Sequence, residues 1–236
     1  MTGKLYIIGV GPGDPGLLTA RALEVLQNAR RVFIPVSGQG RESLALDIIR
    51  DHISPGAAVT ELMFPMTHDR QIMEEAYSNN YGMISSVVRS GDDAVLVTIG
   101  DPATYSSAWQ VLKLVKRHEP AVLCEVVPGI TSYAAAAARA GVQLAQGHET
   151  LMVVSSYSDA RKLEALIDCA DTVVFLKTYR RRGMILDLLR AKGLFDRCVY
   201  IRRCGLAGEE IIRDLAALPD EADYFSMIIL KKRGLD

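Results

Sequence analysis

Residues 5–15 read Leu-Tyr-Ile-Ile-Gly-Val-Gly-Pro-Gly-Asp-Pro. An apolar run with β-branched residues stops at a cluster of glycines, which predicts a strand over 5–10, buried on both faces, and a tight turn after it. Directly downstream, Leu18, Ala22, Val25, Leu26 and Ala29 share one face of a helix over 17–29. Strand, glycine turn and helix repeat outward. Strands over 31–35, 57–64, 94–99 and 122–127 alternate with helices over 43–52 and 106–117 and an amphipathic stretch over 69–89. The first half therefore reads as α/β with a mostly parallel sheet. The second half opens with an alanine-rich helix over 132–140. Strands over 151–155, 171–176, 198–202 and 224–230 follow, separated by helices over 160–167 and 181–192. A helix end, Pro120 and a new strand coincide near 118–121, so two domains are expected, 1–119 and 120–236.

Composition bounds the function. Of 236 residues, 49% are apolar and 23% charged, a balance that excludes disorder for the bulk of the chain. A chain this long buries roughly 70–75% of its unfolded surface, so a core forms without disulfide or metal staples. The net charge of −1 argues against nucleic acid as a partner held by bulk positive charge. Cys124, Cys169, Cys198 and Cys204 form no CxxC pair, and the four histidines are scattered, so no metal site is expected. Four thiols and no apolar run near the ~18 residues of a membrane span predict a cytoplasmic protein without a membrane partner.

Three loops are expected beyond the carboxyl ends of the first sheet, where an open parallel sheet binds its ligands. The first, Gly9-Val10-Gly11-Pro12-Gly13-Asp14, has the position of a dinucleotide fingerprint but fails its chemistry. Asp14 stands where the third glycine should allow close helix packing, no acid closes the second strand, and Pro12 lacks an N–H. The second loop is Gly100-Asp101-Pro102-Ala103-Thr104-Tyr105. The third is Pro128-Gly129-Ile130-Thr131-Ser132, whose hydroxyls also suit capping of the alanine-rich helix. None carries a basic residue or a P-loop ending. Backbone groups, one carboxylate and hydroxyls suit a neutral or cationic nucleoside better than a pyrophosphate. Two basic clusters, Lys177-Thr178-Tyr179-Arg180-Arg181-Arg182 and Arg202-Arg203, end strands of the second half. Arginine forks of this kind suit a polycarboxylate guest, with RNA phosphate the competing one, although aromatic residues interleaved for base stacking are sparse.

The segments Gly9–Pro15, Gly100–Pro102 with Tyr105, and Pro128–Ser132, in this order and spacing, resemble the tetrapyrrole methylase family over essentially the whole chain. Further segments resemble the branch that methylates a C20 meso carbon: Pro35-Val36-Ser37-Gly38, Phe64-Pro65-Met66, Phe175-Leu176-Lys177 and Asp223-Tyr224-Phe225-Ser226. The resemblance implies two α/β domains, a mostly parallel first sheet and a mixed second one, with S-adenosylmethionine in the cleft between them, and a homodimer. It implies cofactor contacts at Pro12, Gly100, Asp101, Thr104, Thr131, Ser132, Lys177 and Gly205. The substrate would be a tetrapyrrole of sirohydrochlorin type, with eight carboxylates for Arg180, Arg181 and Arg202 to bind. Asp101 and Tyr105 are the candidates for assisting departure of a proton. No protein-bound metal is implied. The competing readings are a methyltransferase of the same fold acting at another corrin position or on an RNA or protein acceptor, and a module that binds a nucleoside or tetrapyrrole without turnover.

Overall fold

A computed structural model describes residues 2–38, 43–67, 69–155 and 159–235. The chain forms two compact units, Met1–Thr131 and Ser132–Asp236.

The first unit contains β1 (Leu5–Gly9), α1 (Ala20–Asn28), β2 (Arg31–Val36), α2 (Leu44–Ile49), β3 (Ala58–Met63), α3 (Arg70–Arg89), β4 (Ala94–Thr98), α4 (Ala108–His118) and β5 (Cys124–Val127). Its five strands run in the order β3-β2-β4-β1-β5, and every pairing is parallel. Strand alternation sends Ile8 and Val10 to one face, against Ala22, Leu26, Ile48 and Ile49 of α1 and α2. Leu5 and Ile7 go to the other face, against Ile84, Val88, Val111 and Val115 of α3 and α4. Helices on both faces leave the carboxyl edge of the sheet as the place where loops can gather.

Local chemistry moves some predicted ends. The helix predicted from 17 begins at Ala20, because Thr19 caps it (Ala22 N to Thr19 Oγ1, 3.2 Å) and Pro15–Leu17 forms a separate 3-10 turn. The larger difference concerns the division of the chain. Pro120 and the helix end predict a boundary at 119/120, yet β5 hydrogen-bonds to β1 as a parallel edge strand. The first unit therefore runs on to Thr131.

The second unit contains α5 (Ser132–Ala140), β6 (Leu151–Ser155), α6 (Ala160–Cys169), β7 (Thr172–Leu176), α7 (Arg182–Ala191), β8 (Cys198–Arg202), β9 (Glu210–Ile212) and β10 (Ser226–Lys231). The sheet order is β6-β7-β10-β8-β9, mixed as expected: β6 and β7 are parallel, whereas β10 lies antiparallel between β7 and β8. Strand β10 is buried along its whole length. Its last residue, Lys231, is buried too, and its Nζ donates to the Gln143 carbonyl (2.7 Å) and to Glu149 (3.3 Å). The sequence reading misses β9, a three-residue edge strand without alternation, paired only to β8. Because β7 and β8 both oppose β10, their carboxyl ends share one edge, and β10 starts between them.

An ionic knot ties α3 to the end of α4. Glu119 Oε1 accepts from Tyr81 (2.8 Å) and Ser85 (2.9 Å) and pairs with Arg89. Arg89 first, then the two hydroxyls, hold the Glu119 carboxyl down at about 2. With the folded value depressed, the stabilisation is full above the ordinary carboxylate value and is lost as pH falls toward about 2. Glu119→Gln should lower the unfolding midpoint at neutral pH and converge with the unmutated chain in acid, as read by thermal melts along a pH series. Curves that stay parallel throughout would show that this knot does not contribute.

Candidate functional site

The three predicted loops of the first unit meet. They follow β1, β4 and β5, which are neighbours in the sheet. Gly11 and Gly100 form an antiparallel bridge, with Gly100 N donating to Gly11 O at 2.7 Å and Gly11 N to Gly100 O at 3.3 Å. Both glycines are left-handed, at φ 77° and 72°. The third loop is bound by a carboxylate: Gly129 N donates to Asp101 Oδ2 at 3.1 Å. The other oxygen, Oδ1, accepts from Ala103 N (2.9 Å) and Thr104 Oγ1 (3.2 Å). Asp101 thus ties its own loop and its neighbour's together, with both oxygens engaged.

The approach of the backbones is very close. A Cβ on Gly9 would stand 2.5 Å from the Gly100 carbonyl oxygen and 2.6 Å from Gly129 N. On Gly129 it would stand 2.1 Å from the same oxygen. Only hydrogen fits there. Around this junction Gly11, Pro12, Gly13 and Gly100 are buried, Asp101, Thr104 and Thr131 are half-buried, and Tyr105 is 53% exposed. Pro12, Gly100, Asp101, Thr104, Tyr105 and Thr131 are therefore gathered within one unit, while Ser132 opens α5 in the other. The three loops offer mostly backbone and hydroxyl groups, with the carboxylates of Asp14 and Asp101 and no basic side chain. Such a lining fits an adenosine body with a sulfonium charge and lacks what a pyrophosphate needs. A separate cavity of about 500 Å³, lined by residues 29–31, 54–58 and Asp92, contains none of the predicted site residues.

In the second unit, Lys177 follows β7 and Arg203 follows β8, so the basic clusters lie at one sheet edge. The three non-glycine residues with left-handed backbone among the described residues are Tyr105 (φ 52°), Lys177 (φ 55°) and Arg203 (φ 54°). Each follows a strand in a predicted ligand loop. Left-handed backbone costs a non-glycine residue on the order of 1–2 kcal/mol, and such strain concentrates at functional sites. The Lys177 ammonium is half-buried, and burial pushes its pKa below the ordinary lysine value. Its Nζ has no hydrogen-bond or ion-pair partner among the described residues. Arg180 lies over the Tyr179 ring at 5.2 Å, and Arg181 is exposed. Arg202 donates to Glu210 Oε1 at 2.6 Å, so one face of its fork is already taken. Gly205 N donates to Glu209 at 2.6 Å.

Sequence reasoning missed the hold of Asp101 on the third loop and the setting of Arg203, because Gly129 and Phe225 are distant from them in the chain. The segment Asp223–Ser226 stood out as a motif, but nothing in its residue types announces that it starts the strand between the two basic ends. Among the described residues, no group of three or more His, Cys, Asp or Glu side chains is arranged to hold a metal ion, and no helix is long and apolar enough to cross a membrane.

Residues 4–219 match the family model described as Tetrapyrrole (Corrin/Porphyrin) Methylases. A probable cobalt-precorrin-2 C(20)-methyltransferase of Methanocaldococcus jannaschii is 34% identical, over 97% of this chain and 96% of its own length. The cobalt-precorrin-2 C(20)-methyltransferase of Salmonella typhimurium is 32% identical, over 99% of this chain and 98% of its own. Among solved structures, a cobalt precorrin-4 methyltransferase superposes with a TM-score of 0.74 at 27% identity, covering 99% of this chain and 96% of that one.

The junction predicts its own sensitivity. Gly129→Ala should destabilise the first unit by about 1–3 kcal/mol, the usual penalty of an overpacked site. Asp101→Ala, which leaves the Gly129 N–H without its acceptor, should cost about 1–3 kcal/mol. Denaturant unfolding measures both, and losses under half a kilocalorie in either would mean that the loops are held by other contacts.

Proposed function

The chain belongs to the tetrapyrrole (corrin/porphyrin) methylases, and on that premise we propose that it methylates C20 of precorrin-2 in its cobalt-loaded form, using S-adenosylmethionine, in cobalamin biosynthesis. It is a methyltransferase, and the agreement with two C20-specific relatives over almost its entire length carries the choice of position. Both relatives are named for the cobalt-loaded substrate, which supports that form over the metal-free one.

S-adenosylmethionine supplies a methyl group on a sulfonium, electrophilic enough for attack by an electron-rich meso carbon. The chain's own residues hold and orient. The glycine junction presents backbone at Pro12 and Gly100, and Asp101 fixes the loop that carries Thr104 and the one that carries Thr131. Lys177 provides a desolvated ammonium in want of an anion, suited to the carboxylate of the donor's methionine portion. Ser132 and Gly205 complete the proposed donor contacts. Arg180 and Arg181 take substrate carboxylates, and Arg202 contributes the donors that Glu210 leaves. Alignment of the reacting atoms is the main effect, worth up to about 7–11 kcal/mol. Methylation at C20 releases a proton. The Tyr105 phenol, 53% exposed on a left-handed backbone, is our candidate for assisting it, while Asp101 acts through the loops it holds. A homodimer in a reducing compartment belongs to the same reading, and the four free thiols suit that compartment.

The deciding assay gives the purified chain methyl-labelled S-adenosylmethionine and, side by side without oxygen, metal-free and cobalt-loaded substrate. Label at C20 with preference for the cobalt form is expected. Label at another carbon, or none on either substrate, rejects the assignment. Lys177→Gln should raise KM for the donor roughly 10-fold to 100-fold, the scale of a lost charge-assisted hydrogen bond of about 1.5–3 kcal/mol, and Lys177→Arg should recover part of it. Donor affinity should also fall as pH rises, at lower pH than an ordinary lysine would dictate, because the bound carboxylate needs the protonated amine.

A further inference from the structure

Between the two basic strand ends of the second sheet runs a line of rings. Arg180 stacks on Tyr179 at 5.2 Å. Tyr179 meets Tyr224 edge-on at 5.2 Å, and Tyr224 meets Phe225 edge-on at 5.1 Å. Arg203 closes the row, its backbone N–H donating to the Phe225 carbonyl at 2.8 Å. The order follows from topology. Leu176 pairs with Met227, and Arg202 with Ser226, so the residues just before β10 must lie between those that follow β7 and β8.

The exposure is unusual for packing aromatics. Phe225 is 40% exposed, and Tyr179 and Tyr224 are only half-buried. The Arg203 side chain is 48% exposed, with Asp223 at 3.9 Å, the outer limit of an ion pair. Its backbone is left-handed, as is that of Lys177 at the other end. A ridge with an apolar, π-rich middle and a guanidinium at each end complements a guest that is flat and apolar in the middle and anionic at the rim.

We infer that the row Arg180–Tyr179–Tyr224–Phe225–Arg203 is the seat for the substrate's macrocycle, which packs against the exposed Phe225 ring, buttressed edge-on by Tyr224 and Tyr179, while Arg180 and Arg203 bind carboxylates on its periphery. The inference rests on the tetrapyrrole-methylase reading and extends it. Arg203, and not only its neighbour Arg202, becomes a substrate residue, and Phe225 determines the class of guest.

The test uses the full chain and two probes. Uroporphyrin III, a flat macrocycle with eight carboxylates, reports on the seat through its absorption shift. S-adenosylhomocysteine, followed by calorimetry, reports on the donor site. Phe225→Ala and Arg203→Gln should each weaken uroporphyrin binding about tenfold, the scale of losing one stacked ring or one guanidinium contact. Phe225→Trp should restore it. Both variants should hold S-adenosylhomocysteine within about twofold of the unmutated chain, which also establishes that they are folded. With mesoporphyrin, which has two carboxylates, the Phe225→Ala loss should persist and the Arg203→Gln loss should shrink. Uroporphyrin affinity within about twofold in both variants, or no uroporphyrin binding by the unmutated chain, overturns the inferred seat. Failure of the methyltransferase reading is a different observation: an unmutated chain that does not bind S-adenosylhomocysteine at all.

Discussion

The closeness of three backbones at the carboxyl edge of the first sheet constrains almost everything else in that unit. The Gly100 carbonyl stands where a side chain on Gly9 or Gly129 would collide with it, and Asp101 stitches the second loop to the third through the Gly129 amide. These contacts exist because β1 lies between β4 and β5, so that three loops distant in the chain emerge side by side. Parallel strands require crossover helices, and here those helices cover both faces, which leaves the edge open for polar backbone to gather. A lining of amides, carbonyls and hydroxyls is the result, and the three loops themselves carry no basic side chain.

Strain is placed where the guests are expected. Tyr105, Lys177 and Arg203 adopt left-handed backbone without being glycine, and each follows a strand at a carboxyl edge. The second unit adds incomplete compensation of charge. Lys177 is partly desolvated with no partner among the described residues, and Arg203 faces Asp223 at the outer limit of an ion pair, whereas Lys231, more deeply buried than either, is satisfied by Gln143 and Glu149. The contrast separates two kinds of basic residue. One completes the fold, and the other is the kind we propose for binding a guest.

Much of this was legible in the residues themselves. The alternation of apolar runs and helix-spaced segments yields nine of the ten strands among the described residues, and the absent one, β9, is three residues long with no alternation to read. The loops at Gly9, Gly100 and Gly129 are legible as ligand loops because glycine and proline punctuate strand ends. The division between units is not. Pro120 is a strong local break, but the pairing of β5 with β1 is a tertiary event, and it carries the first unit on to Thr131. The dual hold of Asp101, the Glu210 contact that occupies part of Arg202, and the row of rings beside Arg203 are equally invisible in one dimension.

By itself, then, the amino-acid order determined the elements, their kind and the chemical character of each loop, since hydrophobic period, turn residues and charge act over a few neighbouring positions. Which carboxylate holds a loop and which arginine stays available was decided only by tertiary structure. Those outcomes depend on strand order and direction, which bring residues such as Asp101 and Gly129, or Phe225 and Arg203, together from separate stretches of chain.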